Sequence, residues 1–474
     1  MVSKLPSLLT EHSVARTSCP MHGRVWSIVC LAVFVAASRI GLLAPGYGMD
    51  PDAHRLALAA ASIRATGQYA MSREPGHPVQ EWVNSLVIPW GAWGCNAATA
   101  MMSVLGVVCF ALVLQGLKVR AWLLVAAALA FSPLFYVHSV DSMDFVWAIA
   151  FSWFGVYCSL RGWVLLAGIA LGLAMGCRVT EAFAYIPMLL VYGRASEVPP
   201  DRYAWLKLGA LGGVLGTAFY LPVFMRYGIS ALAVHEQGRT QLRLLWQRFS
   251  LELWGIPGFS MLVLIVGLTL LNALRMRGRV SRNHRPWNGR LVIACASGVV
   301  PPILVFLRLP HDAGYLLPIV PWVLLAVATT AHNWVSITLA MFIGSGSIPV
   351  PGLWHSPVLL AHRTRVAQVA EVKHLVAQLR RIREPTLLVA GTYEPKILSE
   401  LGGQLPSPVQ ITYLLEPTDI PNLASTHQKL FYLRRAATMN KQYFGVDLAA
   451  LGGIVFNPLQ RRTNQPSQRT QSTE

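Results

Sequence analysis

Five short stretches of this chain hold residue types whose spacing can do chemistry. The first, 49–55 (MDPDAHR), sets Asp50 and Asp52 two positions apart. Carboxylates this close raise one another's pKa or share a cation or basic group. One of them beside a hydroxyl or amine can take its proton. Both also suit the plainer role of capping a helix that starts near 53. The second stretch, 72–81 (SREPGHPVQE), arranges Arg73, Glu74, His77 and Glu81 around a Pro-Gly turn. Arginine grips phosphate through parallel bonds, and the alternative is a solvated turn. The third, 138–144 (HSVDSMD), spaces Asp141 and Asp144 to share one helix face. Compensation of a helix dipole is the expectation for Asp141, and for Asp144 that role and a site role both stand. The fourth, 177–181 (CRVTE), carries Arg178 and Glu181 beside apolar runs, where charge is costly and points to function. The fifth, 308–321 (RLPHDAGYLLPIVP), carries Arg308, His311 and Asp312 ahead of Tyr315, Pro318 and Pro321.

The elements that must position these residues are membrane helices. Of 474 residues, 54% are hydrophobic and 13% charged, with mean hydropathy +0.48. A soluble domain carries about 25% charge. The apolar runs are long enough to cross a bilayer, which takes roughly 20 residues, and inside lipid each must be a helix. The pattern predicts eleven spans, near 25–44, 97–117, 121–138, 145–160, 162–177, 179–193, 205–224, 251–274, 291–307, 313–330 and 333–350. Arg39 falls near the end of the first span and is expected to snorkel to headgroups. The net charge of +18 is not a nucleic-acid signal, because much of it lies in short loops beside apolar runs. Seven cysteines form no C-x-x-C pair and read as small core residues.

Lysine and arginine orient the spans. With the N-terminal segment 1–24 inside, the cytoplasmic segments carry fifteen basic residues against three acids, and the opposite loops nine against ten. That asymmetry favours a cytoplasmic N-terminus. The outer loop 45–96 then holds two helices, near 53–65 and 78–94, whose Trp82, Trp90 and Trp93 suit a membrane interface. A second long outer segment is 225–250. Residues 351–459 form a separate extracytoplasmic α/β domain, with strands at 386–390, 409–415 and 430–433 and helices near 364–382, 394–402 and 419–427. Such alternation predicts a parallel sheet. TLLVAGTYEPK lacks a Gly-rich phosphate fingerprint, and the polar tail 460–474 reads as disordered.

Under this topology all five stretches fall on one outer face, where they form a polar cavity roofed by loop 45–96. The order of parts across 25–350 resembles the GT-C superfamily of membrane glycosyltransferases: an acidic pair after the first span, an amphipathic outer loop, an acid before span four and a late R…Y-L-L-P-x-x-P entrance. The protein O-mannosyltransferase and aminoarabinose transferase branch is the most similar. The resemblance implies a helical polytopic fold and a polyprenyl-phosphate or polyprenyl-diphosphate sugar donor. It places the catalytic acid at Asp52 or Asp50, with Asp52 favoured because it stands just ahead of the Arg55 helix. It matches Asp144 to the acid that starts span four. Arg55, Arg73, His77, Glu81, Arg178, Arg308, His311 and Tyr315 are then candidates for substrate and phosphate binding. Some members hold a divalent metal at the acid pair, here Asp50 and Asp52 with Asp144, and others hold none. The implied partners are the lipid-linked sugar, membrane lipids and an acceptor, in a bacterial inner membrane. Asp-Pro-Asp departs from the adjacent Asp-Glu pair of the mannosyltransferases, and a W-W-D signature is missing, which counts against N-glycosylation. The competing readings are a transporter or flippase, an envelope polysaccharide polymerase or ligase, and a non-catalytic scaffold. Against the first stands the lack of an internal repeat, and against the second the early position of the patterned loop.

Overall fold

A computed structural model describes residues 21–196, 201–232, 242–275, 289–310, 312–330, 333–348, 356–421 and 429–456. The chain is mostly helical, with a small parallel sheet near its C-terminus. Among the described residues six helical stretches are long and apolar enough to cross a membrane: 23–40, 78–116, 204–227, 245–268, 289–308 and 313–330. Five more apolar helices, of 10–17 residues, lie at 122–131, 145–160, 164–177, 179–191 and 333–345. These positions match the eleven apolar runs of the sequence, but five of the helices are shorter than a bilayer-crossing helix.

Several runs are broken where their residue types demand it. After α1 (Met21–Ile40), the loop that follows forms α2 (Pro51–Thr66), capped by Asp50 and ended by Gly67 at φ 67°. The next helix, α3 (Pro78–Val87), is followed by a 3-10 turn at 88–90 and then α4 (Gly91–Gly116), with the chain turning at Gly91, φ 62°. The run at 121–138 breaks at extended Ser132 before Pro133, giving α5 (Trp122–Phe131) and α6 (Pro133–His138). Proline disfavours helical backbone in the residue before it. Two further helices, α7 (Phe145–Leu160) and α8 (Val164–Cys177), lead to a 3-10 stretch at 179–184 and the short α9 (Tyr185–Val191).

Helices α8 and α10 (Ala204–Tyr227) approach closely, because Gly172 meets Leu215 and Gly212 meets Leu171 with no Cβ between them. Small residues at crossings let helix backbones pack in lipid. Beyond the 3-10 turn 229–232 come α11 (Leu242–Gln247), a π turn at 248–252, and α12 (Leu253–Arg275), kinked at Gly255. The bundle closes with α13 (Gly289–Arg308), a 3-10 turn at 313–316, α14 (Ile319–Thr330) and α15 (Asn333–Ser345). Its outer surface stays apolar: Val263 and Val266 on α12 and Leu304 and Leu307 on α13 are all exposed. Apolar area on that scale is a surface for lipid rather than water.

The C-terminal unit contains α16 (Pro357–Leu379), β1 (Thr386–Val389), α17 (Glu394–Glu400), β2 (Val409–Thr412), β3 (Lys429–Tyr432), α18 (Arg434–Phe444) and β4 (Ile454–Val455). The sheet order is β2-β1-β3-β4 and every pairing is parallel, with Thr386 opposite both Val409 and Lys429. Parallel strands need both faces covered, and Leu375, Leu379, Ile397, Ala436 and Leu448 form that cover around Leu388 and Val389. The strands lie where the sequence places them, although β2 is shorter than 409–415, and β4 was not anticipated. Helix 419–427 is described only as far as 421, and the segment 1–20 and the tail 460–474 lie outside the described residues.

Candidate functional site

Asp50 caps α2: its Oδ1 accepts from the Asp52 amide at 2.8 Å. The capping role foreseen for this position is therefore real. It occupies one oxygen, and among the described residues no donor engages the other. Burial, with Asp52 and Asp312 nearby, pushes the Asp50 carboxyl up to about 7. Asp52, in the first turn, is differently committed. Its Oδ1 takes Arg55 Nη1 at 2.7 Å and its Oδ2 faces Arg73 Nε at 3.3 Å.

The loop that delivers Arg73 is built around Glu81. This carboxylate is fully buried and accepts from the Ser72 amide at 2.7 Å, the Ser72 hydroxyl at 2.5 Å, the His77 amide at 3.1 Å and the Tyr69 hydroxyl. A buried carboxylate is stable only when its lone pairs are filled, and here the loop itself fills them. Helix α10 braces the same loop, with Tyr220 donating to Gly76 O at 3.1 Å and Arg226 donating to Tyr69 O. Glu81 therefore shapes the site from inside the protein, and the substrate contact expected of it does not fit its burial.

Asp144 is the centre of the arrangement. It stands at the N-terminus of α7, yet its side chain makes no capping bond and is completely buried. One oxygen pairs with Arg73 and the other with Arg178. His77 Nδ1 is 3.5 Å from Oδ2 while bonded to Cys177 O at 2.7 Å. Four segments distant in sequence thus join in one chain of charge: Asp52, Arg73, Asp144, Arg178. With Arg55 included, two carboxylates make ion pairs with three guanidiniums, and Asp50 stands close enough to act on Arg73 as a third acid. Arginines whose guanidiniums keep N–H donors beyond their carboxylate partners are a seat for a phosphate.

Arg178 connects this chain to a pocket. Its guanidinium lies 4.1 Å from the Phe145 ring centroid and 4.7 Å from that of Tyr315. Both rings line a pocket that Trp153, Phe183, Pro302 and Trp322 also wall. Glu181 lines it too, accepting from Ser152 at 2.6 Å. The pocket has a charged end and an aromatic, aliphatic body.

Asp50, Asp52, Arg55, Arg73, His77, Asp144, Arg178 and Tyr315 are therefore gathered in one region by the fold. Arg308 is instead exposed in the last turn of α13, and His311 lies outside the described residues. Asp312 caps the 3-10 turn before α14 by accepting from the Gly314 amide at 2.8 Å. Among the described residues no three His, Cys, Asp or Glu side chains are grouped to hold a metal ion. Both Asp144 oxygens already face arginine, so the residues present do not fit a metal shared by Asp50, Asp52 and Asp144. Arg39 does not snorkel: it is fully buried, bonded to Ser139 Oγ at 3.2 Å and to Ala130 O, and stacked 4.3 Å from the Tyr136 ring. The connection after α6 and the end of α5 supply its acceptors. All six described cysteines are free, and five are buried.

Neither a protein-family model nor a curated protein matches this sequence. The geometry alone therefore carries the functional argument.

Little in the order of residues marks what the C-terminal domain brings to this region. Asp141, foreseen as a capping residue, pairs at 2.7 Å with Arg365 of α16, whose guanidinium also donates to Pro45 O, Gly46 O and Val140 O at 3.0 Å each. From α17, Lys396 reaches Met49 O and Ser399 reaches His54. Arg55 lies 5.4 Å from the Tyr413 ring, just past β2. The one available hint was the cluster of charges within α16 and α17, which an isolated surface helix would also show.

Proposed function

We propose that this chain is a membrane glycosyltransferase of the GT-C type, moving a sugar from a polyprenyl-phosphate or polyprenyl-diphosphate carrier to a hydroxyl or amine acceptor. The observation that carries the reading is the chain Asp52–Arg73–Asp144–Arg178, which runs from an acidic pair to the charged end of an aromatic-walled pocket. A lipid-linked sugar has the matching parts: an apolar tail, an anionic phosphate and a reactive carbon between phosphate and acceptor.

In this reading the phosphate sits on Arg178, whose guanidinium gives only part of its five N–H donors to Asp144, and Arg73 adds charge beside it. The acceptor oxygen or nitrogen attacks C1 of the sugar from the side opposite the phosphate. The C1–O bond breaks, its electron pair leaves with the lipid phosphate, and the acceptor proton passes to a carboxylate. Resemblance favours Asp52 as that base. The geometry favours Asp50, because both Asp52 oxygens face arginine while Asp50 keeps one oxygen open. Asp52 then serves to hold Arg55 and Arg73. The eleven apolar helices cross the membrane with the N-terminus cytoplasmic, and the acidic pair and the α/β domain lie on the extracytoplasmic face of a bacterial inner membrane. The acceptor enters from that side.

The test is turnover of a panel of radiolabelled polyprenyl-phosphate sugars by purified protein, beside Asp50→Asn and Asp52→Asn. Sugar transfer by the wild type that one asparagine variant loses, while the protein stays folded, supports the enzyme and names its base. A folded wild type that turns over no donor, with envelope extract as acceptor, overturns the reading.

A further inference from the structure

The C-terminal domain grips the segment 42–54 at three points, and that segment carries both candidate bases. Arg365 binds the carbonyls of Pro45 and Gly46, Ser399 lies 2.7 Å from His54 Nδ1, and Lys396 binds between them. Lys396 is the most unusual of the three. It is 4% exposed, although lysine is among the residues least often buried. Its Nζ donates to Met49 O at 2.6 Å and to Gln368 Oε1 at 2.9 Å, and it stands 5.4 Å from the Tyr393 ring centroid.

Both of its hydrogen-bond acceptors are neutral. A buried ammonium with neutral acceptors is costly, and burial accordingly draws the Lys396 pKa down to about 8. Among the nearby carboxylates that oppose this, Asp50 acts most strongly, ahead of Glu371 and Asp141. The carbonyl that Lys396 holds belongs to the residue immediately before Asp50. A helix that needed only to pack on α2 would place an apolar side chain here. A cation makes sense where the carbonyl and the carboxylate beyond it must be held in one orientation.

We propose that Lys396 is a positioning residue that fixes the Met49–Asp50 turn, so that the C-terminal domain is a working part of the site and not a detachable cap. The proposal rests on the glycosyltransferase reading only for its kinetic consequence. Lys396 does not line the pocket that ends at Arg178, so its loss misplaces the acid and leaves the donor seat intact.

The test compares full-length wild type with Lys396→Met, the milder Lys396→Gln and the charge-keeping Lys396→Arg. Hydrogen–deuterium exchange across 45–55 is read by mass spectrometry, and sugar transfer is read where it occurs. Exchange in 45–55 should rise at least several-fold in Lys396→Met and less in Lys396→Gln, with helix α7 unchanged, and Lys396→Arg should restore most of the protection. The turnover number should fall about 10- to 100-fold with the donor KM within about 3-fold, the pattern of a lost transition-state contact. Wild-type protection of 45–55 in Lys396→Met overturns the proposal, and so does a loss of protection spread equally over α7. If no donor is turned over even by wild type, the enzymatic reading falls, and the exchange result still decides the positioning role.

Discussion

Asp141 and Asp144 stand on one short connection before α7, and both are buried, yet they hold different parts of the molecule. Asp141 faces outward to the C-terminal domain, where Arg365 pairs with it and ties down three backbone carbonyls. Asp144 faces inward to Arg73 and Arg178. One acid belongs to a seam in which the cation is matched by a carboxylate and by carbonyls. The other belongs to a cluster whose last guanidinium, Arg178, opens onto a pocket. The seam is complete as it stands, and Arg178 of the cluster has N–H donors left for an anion. Burial alone therefore does not mark a functional acid; the balance of its partners does.

The strongest way to break this comparison is to remove the inner acid. Asp144→Ala leaves the buried Arg178 without its carboxylate and Arg73 with Asp52 alone, which costs about 3–5 kcal/mol. Thermal unfolding in detergent should show that loss, and phosphate or a lipid-phosphate analogue should recover part of it by binding the freed arginines. Arg365→Ala strips the seam of its cation and costs about 3 kcal/mol by the same reasoning, but no anion should recover it. Equal recovery of both variants by phosphate would erase the distinction between seam and cluster.

Asp50→Asn sharpens the comparison on the catalytic side. Asparagine caps a helix about as well as aspartate, so stability should change little while turnover falls about 100-fold or more, the scale of a lost general base. The pH profile supplies the sign. With its carboxyl raised to about 7, Asp50 is protonated below that pH and cannot accept a proton, so kcat/KM should rise with pH through about 7 and level above it. An acidic limb well below 7 would move the base away from Asp50. The smallest effect is expected at the exposed pair Asp201–Lys207, 2.6 Å apart. Asp201→Asn should alter neither unfolding nor turnover, since exposed ion pairs contribute little.

How much of this was legible beforehand differs from residue to residue. The cap at Asp50 was readable because capping is local: the acid, Pro51 and the helix follow one another in sequence. Strand β1 was readable because TLLV is apolar and β-branched at its ends, and bounded by Pro385 and Gly391. The break at Ser132–Pro133 went unforeseen within an apolar run, although proline carried the signal. The surroundings of Glu81 were not legible, because its partners are two backbone amides and two hydroxyls of a folded loop, groups that every sequence contains. Lys396 and Arg365 carried only the weak hint of charged helices, since the backbone carbonyls they hold in the loops before α2 and α7 lie more than 220 residues away.

The sequence by itself determined where the apolar helices lie, where the small parallel sheet lies and which stretches carry acids and arginines, because hydrophobic period, caps and prolines act over a few residues. Only the tertiary structure decided which charge meets which. Ion pairs between Arg73, Asp144, Arg178 and Asp52, and between Asp141 and Arg365, depend on how helices cross and on which cation burial leaves nearest. Coulomb energy in a buried site is set by distance and dielectric, and neither quantity is written in the order of the residues.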